Sequence, residues 1–139
     1  MFCYQCEQTA KGEGCTKLGV CGKESDVASL QDLLIYALKG LSVYAVEGRK
    51  VGVVDPEIND FTCKAMFSTL TNVNFDPDRF VQLIQRCVAL REKLKEKVRA
   101  GKGKIDFQEG PLPETGWSLV NSDTRSSLRQ GSTVSWPGV

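Results

Sequence analysis

The stretch Ser25-Asp26-Val27-Ala28-Ser29-Leu30-Gln31-Asp32-Leu33-Leu34-Ile35-Tyr36-Ala37-Leu38-Lys39-Gly40-Leu41-Ser42-Val43-Tyr44-Ala45-Val46-Glu47-Gly48 decides the fold class. Val27, Leu30, Leu34, Leu38 (or Ala37), Leu41 and Ala45 recur at spacings of three and four. That is one apolar stripe on a helix of several turns. Ser25 or Asp26 is the expected cap. Gly48 marks the expected end, and Gly40 the expected point of close helix packing.

Downstream, the pattern recurs twice. Asp55-Pro56 and Asp76-Pro77 each read as an N-cap followed by a proline at the first helical position. Between Gly48 and Asp55, Arg49 to Val54 read as a connector. The second helix is expected to turn Ile58, Phe61, Ala65 and Phe67 or Leu70 inward and to end near Thr71-Asn72. The third runs to about Ala100, with Phe80, Leu83, Ile84, Cys87, Leu94 and Val98 on one face. Its last turns, Arg91 to Lys97, read as a solvated charged face. From Gly101 the periodicity stops, and Gly, Pro and Ser dominate around the isolated Trp117 and Trp136. The expectation is an all-α chain: a Cys-rich loop over 1–24, a three-helix bundle over 25–100 and an irregular tail over 101–139.

Upstream of the stripe lies the chemistry. Cys3 and Cys6 form a CxxC pair; Cys15 follows after eight residues and Cys21 after five more. Gly12, Gly14, Gly19 and Gly22 punctuate this loop, with Lys11, Lys17 and Lys23 between them. Four thiolates on one short loop can ligate an iron–sulfur cluster or a structural zinc, or pair as disulfides. Structural zinc favours two short knuckles, whereas a five-residue gap and a glycine-rich wrap suit the wider iron–sulfur cluster. Phe2, Tyr4 and Leu18 flank the ligands, either as a hydrophobic shell around a metal or as packing of the loop onto the bundle. Cys63 and Cys87 read as small hydrophobes on helix faces. Asp32 and Glu47 read as surface carboxylates with no role.

The bulk numbers exclude other classes. The chain has 139 residues, 18 basic and 17 acidic, for a net charge of +1. That balance gives no sign of a nucleic-acid or anionic-membrane partner. No histidine is present, so Ser-His and Cys-His catalysis and His-ligated zinc are excluded. Met1 leads directly into the cysteines, which predicts no secretory leader and a cytoplasmic, reducing setting.

Residues 1–10, Met1-Phe2-Cys3-Tyr4-Gln5-Cys6-Glu7-Gln8-Thr9-Ala10, resemble the N-terminus of the hybrid cluster protein family, also called prismane protein or hydroxylamine reductase. Cys15 through Lys23, Leu30 through Leu41 and Phe67 through Asp76 resemble it too, and the resemblance reaches roughly residue 118. It implies that Cys3, Cys6, Cys15 and Cys21 hold a cubane [4Fe–4S] cluster; the variant with a longer gap after the second cysteine holds [2Fe–2S]. It implies a helical N-terminal domain that relays electrons, fed by a redox partner protein. Reduction of hydroxylamine to ammonia belongs, on this resemblance, to a hybrid 4Fe-2O-2S cluster in further domains. Its downstream histidine, glutamate and cysteine ligands are absent from this chain, which reads as a truncated or frameshifted product. A lone bundle of this kind is expected to expose apolar surface and self-associate.

Overall fold

The computed structural model describes residues 2–101. Helix α1 spans Ser25–Lys50, α2 Pro56–Ser68 and α3 Pro77–Ala100, after a single 3-10 turn over Ala10–Gly12. Among the described residues the architecture is all-α, as the apolar stripes require. The expected tail lies outside the described residues, apart from Gly101.

The two Asp-Pro signals act as read. Asp55 accepts the Glu57 N–H at 3.1 Å. Asp76 accepts the Asp78 N–H at 2.9 Å and the Arg79 N–H at 3.3 Å. Each carboxylate thereby satisfies N–H groups that the first helical turn leaves unpaired. The start of α1 differs. Its N-cap is Glu24, with no side-chain cap bond, and Ser25 is already helical. Asp26 sits in the first turn, where a negative charge suits the helix dipole. At the other end, Arg49 and Lys50 belong to the helix rather than to the connector.

The bundle is uneven. α1 packs chiefly along α3, and α2 is the minor partner of both. Val27, Leu30, Leu34, Leu38, Leu41 and Tyr44 of α1 meet Phe80, Ile84, Cys87, Leu90, Leu94 and Val98 of α3 in one core. Close approach falls at Gly48 rather than Gly40. A Cβ on Gly48 would stand 3.0 Å from Val98 Cγ2 and 3.0 Å from the Val53 carbonyl, whereas one on Gly40 would meet only the Arg91 side chain at ordinary contact distance.

α2 contributes Ile58 and Ala65, with Phe61 half-buried beside them. Phe67 and Leu70, expected inward, are exposed. Two reasons account for this. Phe67 lies two residues from Ala65, which carries it to the opposite side of a helix with 3.6 residues per turn. The helix also ends at Ser68, before the expected Thr71-Asn72. There the Ser68 and Thr69 hydroxyls take the Ala65 and Met66 carbonyls at 2.7 and 2.8 Å, and Asn72 adopts a left-handed φ of 61°. Cys63, two residues from both Phe61 and Ala65, is exposed by the same phase argument, not a core hydrophobe.

The charged run of α3 is also not simply a solvated face. Arg91 is buried, and Lys95 stands 5.7 Å over the Tyr44 ring. Lys97 donates to Asp55 at 2.7 Å and Lys93 to Glu57 at 3.0 Å, and Arg86 also pairs with Glu57. These bonds tie α3 to the first turn of α2. Asp55 is held below the usual carboxylate range first by the Lys97 hydrogen bond, and Glu57 first by that of Lys93. A depressed carboxylate pKa adds stability that is complete above the unfolded value and lost as pH falls through the folded one. Thermal melts are therefore expected to hold their midpoint down to about pH 5 and to lose it progressively below about pH 4. Lys97→Ala should flatten that acid limb; an unchanged limb would show that the pair carries none of it.

Among the described residues, no helix is long and apolar enough to cross a membrane.

Candidate metal centre

The loop before α1 is folded by its own backbone. Cys3 and Cys15 form an antiparallel bridge: the Cys15 N–H donates to the Cys3 carbonyl at 2.8 Å and the Cys3 N–H to the Cys15 carbonyl at 3.1 Å. The Thr9 hydroxyl donates to the same Cys3 carbonyl at 2.9 Å. Between the two cysteines, Lys11 and Gly12 both take left-handed φ, 57° and 69°. That reversal turns the Ala10 N–H onto Cys15 Sγ at 3.4 Å, and Thr9 Oγ1 stands 3.6 Å from the same sulfur. Further on, Gly19 makes a close approach: a Cβ there would stand 3.0 Å from Lys23 Cβ and 3.2 Å from Cys21 Sγ. Glycine at 19 lets the chain close against the fourth cysteine.

All six cysteines are free thiols. Cys15 is buried, Cys3 and Cys6 are half-buried, and Cys21 is exposed. The Cys15 thiol is shifted toward the thiolate by the Ala10 N–H first, then by the Val20 N–H and the Thr9 hydroxyl; burial opposes them. A sulfur that accepts backbone N–H groups is the donor type that thiolate-ligated clusters use. The residues present therefore fit such a group in donor chemistry. Among the described residues, no three His, Cys, Asp or Glu side chains converge as the ligands of a single ion would.

The other cysteines differ from these. Burial pushes the Cys87 thiol up to about 12, against an opposing Arg91 charge. It stays protonated at neutral pH and acts as core. Alkylation of the folded chain at pH 8 should modify exposed Cys63 and leave Cys87 unmodified until unfolding; early labelling of Cys87 would refute its burial.

Phe2, Tyr4 and Leu18 keep more than half of their surface in solvent. The Phe2 and Tyr4 ring centroids are 5.3 Å apart, and Phe2 lies over Gly14, where a Cβ would meet its ring at 2.8 Å.

Three polar side chains that sequence reading passed over complete the site. Lys23 is only 2% exposed. Its Nζ donates to Gln31 Oε1 at 2.7 Å, to Gln5 Oε1 at 3.0 Å and to Cys3 Sγ at 3.9 Å. Gln5 Nε2 in turn donates to the Thr69 carbonyl at 2.6 Å, and Gln31 Nε2 to the Asn74 carbonyl at 3.4 Å. The loop is thus moored to α1 and to the α2–α3 connector. One signal was legible: Gln31 lies four residues after Val27 and three before Leu34, a polar residue in phase with the apolar stripe. Asp32, beside it, has its carboxyl pKa raised by desolvation, with the Lys23 charge opposing.

Fold and loop together define a class: an all-α chain headed by a cysteine loop whose sulfurs are supplied with backbone and side-chain donors. Sequence comparison makes the assignment specific. The chain belongs to the Prismane/CO dehydrogenase family, whose model matches residues 1–123. It is 72% identical over 109 residues to the hydroxylamine reductase of Syntrophobacter fumaroxidans, covering 78% of this chain and 20% of that protein. It is 59% identical over 111 residues to that of Methanocella arvoryzae, covering 80% and 20%. It is 52% identical over 106 residues to that of Clostridium tetani, covering 76% and 19%. The chain thus spans about a fifth of the length of the curated relatives it matches. Membership in this family implies iron–sulfur cofactors.

Proposed function

We propose that this chain is the cluster-bearing N-terminal region of a hydroxylamine reductase of the hybrid cluster type, and that Cys3, Cys6, Cys15 and Cys21 hold a [4Fe–4S] cluster as thiolates. The observation that carries this reading is the Cys15 sulfur, buried and met by the Ala10 N–H within a loop that bridges it to Cys3. The relatives named hydroxylamine reductase support the same reading.

A bound cluster would supply one-electron transfer; the chain's own residues prepare for it. The Ala10 N–H and the Thr9 hydroxyl favour the thiolate form of Cys15. Gly19 allows the chain to close beside Cys21. Reduction of hydroxylamine to ammonia and water belongs, in this proposal, to the full-length relatives and their hybrid cluster. The electron donor would be a separate redox protein, in a cytoplasm reducing enough to keep thiolates available. Exposed Phe2, Tyr4, Leu18, Phe67 and Leu70 are apolar surface of the kind that the remaining domains would cover.

Anaerobic reconstitution with iron and sulfide tests the proposal. Iron and acid-labile sulfide in equal, stoichiometric amounts are expected, with broad visible absorption that bleaches on reduction. A colourless chain holding one zinc and no sulfide would make the loop a structural zinc module instead.

A further inference from the structure

We propose that Lys23 is a positioning residue that raises the electron affinity of the cluster at Cys3, Cys6, Cys15 and Cys21, an inference that rests on the function proposed above. Burying an ammonium group is costly unless it is fully hydrogen-bonded and faces opposite charge. Lys23 has three N–H donors, and the structure supplies three acceptors: Gln31 Oε1, Gln5 Oε1 and Cys3 Sγ. Two of these are neutral amides. Each is pinned by its own NH2 group to a backbone carbonyl of the α2–α3 connector, Thr69 or Asn74. The third acceptor is a ligand sulfur. The one acceptor able to carry negative charge at hydrogen-bonding distance is therefore on the cysteine loop.

The consequence follows from Coulomb's law. Each electron added to a thiolate-ligated cluster makes the site more negative. A fixed positive charge in a water-poor setting lowers the cost of that electron, and an N–H donated to sulfur acts in the same direction. The amide pair holds the ammonium in place, so its effect does not depend on a mobile surface side chain.

The test is potentiometric titration of the full chain, reconstituted anaerobically, against dithionite with redox mediators. Lys23→Met keeps the length of the stem and removes the charge. It is expected to shift the potential negative, with about tenfold weaker electron uptake, which is about 59 mV for a one-electron couple. Lys23→Arg keeps the charge and should stay near the wild-type potential. Gln31→Glu leaves Lys23 in place but sets a carboxylate against it, and should shift the potential in the same direction as Lys23→Met. Wild-type potentials in both Lys23→Met and Gln31→Glu, at equal iron content, would overturn the inference. If Lys23→Met takes up no iron while Lys23→Arg does, Gln31→Glu decides: a negative shift there supports the inference, and a wild-type potential overturns it. If both Lys23 variants fail to load, the residue is packing only and the inference falls. A wild-type chain that never takes up iron and sulfide defeats the function proposed above, and this inference with it.

Discussion

Cys15→Ala is expected to lose stable iron and sulfide uptake altogether, with the visible absorption gone. Of the four loop cysteines, Cys15 is the one that is buried, and its sulfur already has a backbone donor before any metal arrives. Removing it leaves three thiolates and strips the loop of its inward anchor. Cluster assembly and local folding of a ligand loop are linked, so a lost ligand costs both. Far-UV circular dichroism should change little, because the α1–α3 core does not depend on the sulfurs. Cys63→Ala is the matched control and should load as the wild type does, since Cys63 is exposed on α2. Undiminished iron in Cys15→Ala would remove Cys15 from the ligand set.

The second large effect is on the bundle. Phe80→Ala should lower unfolding stability by about 3–5 kcal/mol. Phe80 is fully buried one turn into α3 and belongs to the same core as Leu34, Leu41 and Ile84. Its backbone N–H closes the first turn onto the Asp76 carbonyl at 3.3 Å, so the ring is held where the cap sets it. Truncation opens a cavity that a helix fixed at its N-terminus cannot easily collapse. For a domain with about 5–15 kcal/mol in total, this is a large fraction. Urea unfolding should show a lower midpoint with an unchanged slope. A loss under about 1 kcal/mol would mean that the site repacks.

The starts of α2 and α3 were legible because Asp-Pro is a local signal: the proline sets φ and the carboxylate bonds the N–H two residues on, and for Asp76 also the one three residues on. Helix ends were less legible. α2 stops at Ser68 because hydroxyls at 68 and 69 compete for carbonyls, and α1 runs past Gly48 because nothing after it breaks the ladder. Arg91 reads as surface by residue type, yet its stem packs beside Gly40 while its head reaches Glu92 at 2.7 Å. The four loop cysteines stood out by spacing alone. The donors to Cys15 did not, because a backbone N–H has no signature in the residue letters.

What the chain's letters settle alone is local: three helices from their apolar spacing, two caps from Asp-Pro, and a quartet of thiols from CxxC and its two followers. What needed three dimensions is which polar groups leave water. Lys23 is one of three loop lysines that read alike, and it is buried because the loop folds back onto α1 and the α2–α3 connector, where Gln5 and Gln31 accept hydrogen bonds from its ammonium group. Burial of a charge is decided by partners far apart in sequence, and no periodicity or spacing along the chain records where those partners meet.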